Sequence, residues 1–430
     1  MKWVHRIYVI LFIALAATAG TLVLVLPQNE FSENENRVLE QIPSPDIDDI
    51  LSGDFQDKFE KAVSDQFPLR DTWTGASTGI RRLMGLHDAG GVYLGQEGYY
   101  FEKKLNKDVP MSQYKKNIAL LKKFADEHPR TQVLLVPSAA TILPEKLPAF
   151  SAVYDSETMY QIAKQILGDA FIDVRLALQM ASRDKQVYYR TDHHWTADGA
   201  YAAFREWALK NGRANEDIPE FSYKKVTDSF LGTTYSKALD MNPTYDSILI
   251  PEVFKPVYDV QGGSGSSSDQ SGSDMTDSSA LTSSESASIP SDSASRDQDS
   301  STTVNISEVP DIPIPLTVTI NGKPAESIYA PEKLETKDKY AVFFGGNYAE
   351  VNIQNPTDSN SNEIVIFKDS YANCFTPMLI PEYSQITLID LRYETRPVRE
   401  VMAEHPDADC LVLYEMSTFA TSSEVARLGL

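Results

Sequence analysis

The hydrophobic pattern opens with one uninterrupted block. Residues 7–26, Ile-Tyr-Val-Ile-Leu-Phe-Ile-Ala-Leu-Ala-Ala-Thr-Ala-Gly-Thr-Leu-Val-Leu-Val-Leu, carry no charge. A run of that length, at about 1.5 Å rise per residue, crosses a hydrocarbon core of about 30 Å. Lys2 and Arg6 precede it, and Glu30, Glu33 and Glu35 follow it. The excess of positive charge before the run predicts a cytoplasmic N-terminus and an extracytoplasmic remainder from residue 28 to 430. A signal peptide cut after Ala17-Thr18-Ala19 competes with this reading. The apolar run continues to Leu26, past that cleavage point, which favours an uncleaved anchor over residues 1–27.

Beyond the anchor, helical and strand periods alternate. Residues 28–90 are expected to form a polar stalk, with Pro43 and Pro45, and an amphipathic helix on which Phe55, Phe59, Ala62 and Val63 recur at helical spacing before Phe67-Pro68. Val92 to Phe101, with Gly95 and Gly98, alternates as a hairpin. Residues 112–127 and 156–167 predict helices; Val133–Val136 and Ala170–Val174 predict strands. Thr196 is placed to N-cap a helix carrying Ala200, Phe204 and Trp207. From Gln261 to Thr303, Ser, Gly and Asp dominate and aromatic residues are absent. Such a segment buries too little apolar surface to offset its ordering entropy, so a disordered insertion over 261–307 is expected between two folded parts, 91–260 and 308–430. In the second part, Leu316 to Gly322 alternates as a strand and turn, and the apolar stretch Tyr340–Phe344 follows. Glu363–Phe367, Gln385–Asp390 and Cys410–Tyr414 predict strands, separated by helices near 371–379 and 396–404. Short apolar strands alternating with helices predict an α/β fold with a mostly parallel sheet flanked by helices.

The 430 residues include 61 acidic and 39 basic side chains, for a formal charge of −22. Nucleic acid and anionic membrane surfaces are therefore excluded as main partners, since both need a basic face. The two cysteines, Cys374 and Cys410, are expected to be small buried residues rather than a pair.

Candidate chemistry concentrates in Tyr188-Tyr189-Arg190-Thr191-Asp192-His193-His194-Trp195-Thr196, which holds two of the six histidines in the chain. The stretch supplies a general base, a carboxylate to orient it and an aromatic wall. Ser370 is the matching nucleophile candidate: it follows a buried strand and opens a helix, at the carboxyl edge of the sheet where open α/β folds build sites. A serine there commonly only caps its helix; as a nucleophile it would need His193 or His194 as base and Asp192 to hold the imidazole tautomer. Metal binding is the rival chemistry for Asp192-His193-His194. Adjacent histidines in an extended segment point to opposite faces, and His87, His128 and His405 show no ligand spacing. No metal or cofactor is expected.

Thr191-Asp192-His193-His194-Trp195-Thr196, together with Lys368-Asp369-Ser370-Tyr371, resembles the DHHW protein family, which is similar to the SGNH-hydrolase-like proteins of bacterial alginate O-acetylation. Glu35-Asn36-Arg37, Phe67-Pro68-Leu69-Arg70-Asp71, Gly232 to Lys237, Gly345-Gly346-Asn347 and Ile389 to Tyr393 agree with it. The resemblance implies a permuted SGNH-hydrolase-like fold with Asp192 as orienter, His194 as base, Ser370 as nucleophile and His193 at a variable position. Gly346 and Asn347 resemble oxyanion donors, Tyr371 lies beside the nucleophile, and Trp195 would either offer an aromatic face to a sugar ring or sit in the core, the commoner place for a tryptophan. In one departure, Lys368 stands where the family's serine motif has Gly, either in solvent or near the oxyanion. After residue 420 no length remains for the carbohydrate-binding module of some alginate relatives. The implied function is O-acetylation of a cell-surface or secreted polysaccharide, with a membrane-bound O-acyltransferase as partner. A carbohydrate acetyl esterase using the same triad, and a non-catalytic assembly protein of an exopolysaccharide complex, are the alternatives.

Overall fold

The computed structural model describes residues 2–34, 37–252, 316–356 and 361–429. The chain divides into two units, residues 1–254 with 304–430, and residues 255–303. The expected insertion over 261–307 lies outside the described residues, as do Glu35 and Asn36.

A helix at Lys2–Val25 contains the expected anchor, and its stretch Trp3–Val25 is long and apolar enough to cross a membrane. Short strands β1 (Phe31–Ser32) and β2 (Arg37–Val38) pair antiparallel. The amphipathic helix forms at Asp54–Asp65, where Phe55 and Phe59 stack with ring centroids 5.8 Å apart and Ala62 is buried. Strands β3 (Asp88–Ala89), β4 (Val92–Leu94) and β5 (Tyr100–Glu102) build the antiparallel sheet that contains the predicted hairpin.

The remaining strands are β6 (Thr131–Val136), β7 (Phe171–Ile172), β8 (Tyr223–Phe230), β9 (Asp246–Pro251), β10 (Thr317–Ile320), β11 (Lys323–Ala325), β12 (Glu350–Gln354), β13 (Glu363–Lys368), β14 (Gln385–Ile389) and β15 (Asp409–Glu415). β8 and β9 form a separate antiparallel pair. The others make one eight-stranded sheet in the order β11-β10-β12-β14-β13-β15-β6-β7. It is mixed: β14, β13, β15, β6 and β7 run parallel, and β12, β10 and β11 extend it antiparallel. The expectation of a mostly parallel sheet holds for this five-stranded half.

Strands buried on both faces need apolar residues at consecutive positions, and β6, β13 and β15 supply them. Leu134, Ile364, Ile366, Leu411 and Leu413 face one core with Trp195, Phe204 and Phe375. Val133, Leu135, Val365, Phe367, Val412 and Tyr414 face the other with Tyr114, Phe124 and Tyr160. Helix Ala197–Lys210 covers the first face; helices Met111–Glu127 and Ser156–Leu167 cover the second. Thr196 caps its helix as expected, its side chain accepting from the Gly199 N–H at 3.3 Å. Cys374 and Cys410 are unpaired and buried in opposite cores.

One local expectation changes. The strand expected over Ala170–Val174 shrinks to Phe171–Ile172, because Gly168–Ala170 closes a 3-10 turn. In the apolar stretch that begins at Tyr340, Lys339–Val342 is a 3-10 turn, which turns Tyr340 onto His194.

Candidate active site

The turn around the histidines closes on itself. Tyr188 bridges Trp195, the Tyr189 N–H donates to the His194 carbonyl at 3.2 Å, and the Thr196 N–H donates to the Val187 carbonyl at 3.0 Å. Asp246, buried on β9, braces it by accepting from the Arg190 N–H at 3.1 Å and from the Thr191 N–H and hydroxyl at 2.8 and 2.7 Å. The segment is thus bent, not extended. His193 and His194 therefore do not point to opposite faces; their ring centroids lie 3.9 Å apart.

Asp192 is buried, and four donors converge on its carboxylate. Oδ1 accepts from the His194 backbone N–H at 3.0 Å and from His194 Nδ1 at 2.5 Å. Oδ2 accepts from the Thr233 N–H and hydroxyl, both at 2.8 Å. Burial raises the pKa of Asp192, but the neighbouring His193 and His194, the His194 hydrogen bond and the Thr233 N–H outweigh it and hold the carboxyl well below its usual range. A carboxylate only accepts, so His194 carries its proton on Nδ1 and presents a bare Nε2. That nitrogen lies 2.7 Å from Ser370 Oγ. Asp192, His194 and Ser370, separated by 176 residues between base and nucleophile, form one hydrogen-bonded chain.

Ser370 sits in the tight turn just after β13. Asp369, also buried, accepts from the Tyr371 N–H at 2.9 Å and from the Glu415 N–H at 2.8 Å, tying this turn to β15. Burial pushes the Asp369 carboxyl up to about 6. Among the described residues the Ser370 N–H has no acceptor, which leaves it for an anionic oxygen beside Oγ. The helix that follows covers only Ala372–Phe375 before a 3-10 turn at Thr376–Leu379. The expected Gly346-Asn347 segment approaches this helix: Asn373 Nδ2 donates to the Gly346 carbonyl at 3.4 Å, and Lys368 Nζ to Asn347 Oδ1 at 2.8 Å. Lys368 is buried, not in solvent.

The aromatic residues divide by role. Trp195 is fully buried, and its indole N–H donates to the Tyr371 carbonyl at 3.0 Å. Of the two places expected for it, it takes the core and not the sugar-facing one, because no ring face reaches the surface; it is the floor under the nucleophile turn. Tyr371 is buried too and donates its hydroxyl to the His193 carbonyl. Tyr340, which the sequence did not single out, stacks flat on His194 at 3.8 Å and 10° and donates to the Ser370 carbonyl at 3.2 Å. Thr233 was equally missed, although its segment had been noted. It also lies 2.7 Å from His193 Nδ1. Burial, and the repulsion that two protonated imidazoles would feel at this distance, hold His193 below the ordinary imidazole value.

One ligating atom from each of Asp192, His193 and His194 falls within 4.8 Å of the others, the spacing of a metal cluster. Both ring nitrogens of His194 are already engaged, by Asp192 and Ser370. Coordination through His194 would break one of these bonds.

Residues 92–239 match the family model described as SGNH hydrolase-like domain, acetyltransferase AlgX. That span includes Asp192, His194 and Thr233 and ends before Ser370. A crystal structure of a DHHW family protein from Eubacterium siraeum aligns over 79% of this chain and 95% of its own, with 18% identity and a TM-score of 0.54. The fold is SGNH-hydrolase-like. Bacillus cereus PatB1, solved with a sulfonyl adduct, aligns over 78% of this chain and 98% of its own, with 16% identity and a TM-score of 0.51. The probable alginate O-acetylase AlgJ of Azotobacter vinelandii is 26% identical over 217 residues, 47% of this chain. The match spans only about half of that relative, 55% of its length.

Proposed function

We propose that this protein is a membrane-anchored, extracytoplasmic O-acetyltransferase that works through Ser370, His194 and Asp192 on a cell-surface or secreted polysaccharide. The observation that carries the reading is the chain from Asp192 Oδ1 through His194 to Ser370 Oγ, with links of 2.5 and 2.7 Å. His194 Nε2 takes the Ser370 proton as Oγ attacks the carbonyl carbon of an acetyl donor. The Ser370 N–H donates to the resulting oxyanion, with Asn347 as a further donor; Gly346, expected to join it, already gives its N–H to the Phe343 carbonyl at 3.4 Å. Collapse expels the donor's leaving group, protonated by His194, and leaves acetyl on Ser370. A sugar hydroxyl then gives its proton to His194, attacks the acetyl carbon and releases Ser370. Asp192 stays ionised and stabilises the imidazolium at both stages.

The acceptor class follows from the AlgJ relative, named as an alginate O-acetylase. The helix Lys2–Val25 would hold the catalytic unit at the outer membrane face, where a membrane-bound O-acyltransferase partner would deliver acetyl. The sulfonyl adduct on PatB1 supplies the probe. In full-length protein in detergent, Ser370 Oγ should displace fluoride from a sulfonyl fluoride, giving up its proton through His194 and forming an O–S bond that peptide mass spectrometry locates. It should also turn over a chromogenic acetyl ester, and Ser370→Ala should lose both properties. Labelling or turnover that survives in Ser370→Ala overturns the reading. With a glycan acceptor added, acetylated glycan marks a transferase; acetate alone marks the esterase alternative.

A further inference from the structure

Lys368 is among the largest fully buried side chains, with 1% of its surface exposed. A buried ammonium ordinarily pairs with a carboxylate, yet among the described residues none lies within ion-pair distance of it. Asp390, the acid with the strongest pull on it, is committed to Arg392 through contacts of 2.5 and 2.9 Å. The Lys368 amine instead donates to two neutral amides, Asn347 Oδ1 at 2.8 Å and Asn373 Oδ1 at 2.6 Å.

That pairing has a directional consequence. An ammonium only donates, so each amide must turn its oxygen to Lys368 and its NH2 away. Asn373 spends its NH2 on the same loop, reaching the Gly346 carbonyl and Asn347 Oδ1, each at 3.4 Å. The Asn347 NH2 has no acceptor among the described residues, and Asn347 is only half-buried. Gly345 and Gly346 have φ of 78° and 136°, values that favour glycine, so the loop's backbone does not by itself fix the Asn347 amide. One amine thus joins the strand entering the Ser370 turn, the helix leaving it, whose Asn373 N–H donates to the Ser370 carbonyl at 3.2 Å, and the Gly345–Asn347 loop.

We infer that Lys368 is a positioning residue for acyl transfer: it orients the Asn347 amide so that its NH2 serves the oxyanion. This rests on the function proposed above. Lys368 does for Asn347 what Asp192 does for His194, setting which atom faces the reaction.

The test is ester turnover by full-length Lys368→Met, Asn347→Ala and the double variant. Each single change should lower kcat about a hundredfold with KM unchanged. The double variant should be no worse than Asn347→Ala, because the two residues act in series. Multiplying losses, or wild-type kcat in Lys368→Met, would overturn the inference. Asn347→Asp guards against a Lys368→Met that fails to fold. It keeps an acceptor for Lys368 and adds a countercharge while removing the NH2, so the thermal midpoint should rise as kcat falls. A rise in midpoint with kcat unchanged refutes the role. Turnover in Ser370→Ala would instead sink the acyl-transfer reading; loss there with full kcat in both Asn347 variants sinks only the part assigned to Lys368.

Discussion

Asp192→Asn isolates the tautomer argument at nearly constant shape. Four donors meet the wild-type carboxylate: two from His194 at Oδ1 and two from Thr233 at Oδ2. An asparagine offers one oxygen and one NH2, so one side must face donor against donor. If the NH2 faces His194, the imidazole must accept at Nδ1 and carry its proton on Nε2, against Ser370. The base is then blocked, and kcat should fall about 10⁴-fold, roughly 5.5 kcal/mol in the barrier. If the NH2 faces Thr233 instead, the part-buried Thr233 N–H and hydroxyl lose their acceptor, at about 1 kcal/mol of stability. The serine turnover assay reads the first outcome and a urea titration the second. Wild-type kcat within about threefold, combined with unchanged stability, would refute the claim that Asp192 sets the proton position.

Two further changes probe the surroundings. A Cβ at Gly232 would lie 2.3–2.7 Å from the Asp192 side chain, which four hydrogen bonds hold in place; Gly232→Ala should cost about 1–3 kcal/mol in thermal stability and lower kcat at least about tenfold, and full activity would mean that Asp192 moves freely. Burial holds Lys368 down at about 8, against about 10.4 in the unfolded chain. In that window the unfolded chain binds more protons, so this group's contribution falls as pH drops from about 10 to 8 and rises in the other direction. The unfolding free energy of wild type relative to Lys368→Met, from urea titrations, should therefore climb over that window by on the order of 3 kcal/mol in total, and a flat difference refutes the burial argument.

The core strands were legible because residues buried on both faces leave runs such as Val133–Val136 and Ile364–Phe367, with little else that such runs can form. Thr196 was legible as a cap because a short hydroxyl before an apolar helical pattern has few other uses. β12 was not: Glu350-Val351-Asn352-Ile353-Gln354 buries only its alternate residues and depends on β14 and β10 for its ladder. The triad could be assembled from residue types, since a scarce histidine with a preceding aspartate needs only one serine. The donors that set its electrostatics could not. Thr233 and Tyr340 reach Asp192 and His194 from 41 and about 146 positions away along the chain, and neither an exposed Thr nor a buried Tyr is marked by its residue type for such a role. The choice between the two places for Trp195 is made by its neighbours in space, Tyr371 and Phe375, and not by its reactive neighbours in sequence.

β15 lies between β13, which leads into Ser370, and β6, which comes from the half of the chain that carries His194. It is also the last strand in the sequence. A growing chain can therefore make the histidine turn early and the serine turn later, but the seam joining their two halves closes only when residues 409–415 arrive. Such distant pairings form late in folding. Nascent and C-terminally clipped copies, which lack the Glu415 N–H that holds Asp369 beside Ser370, should therefore be chemically silent.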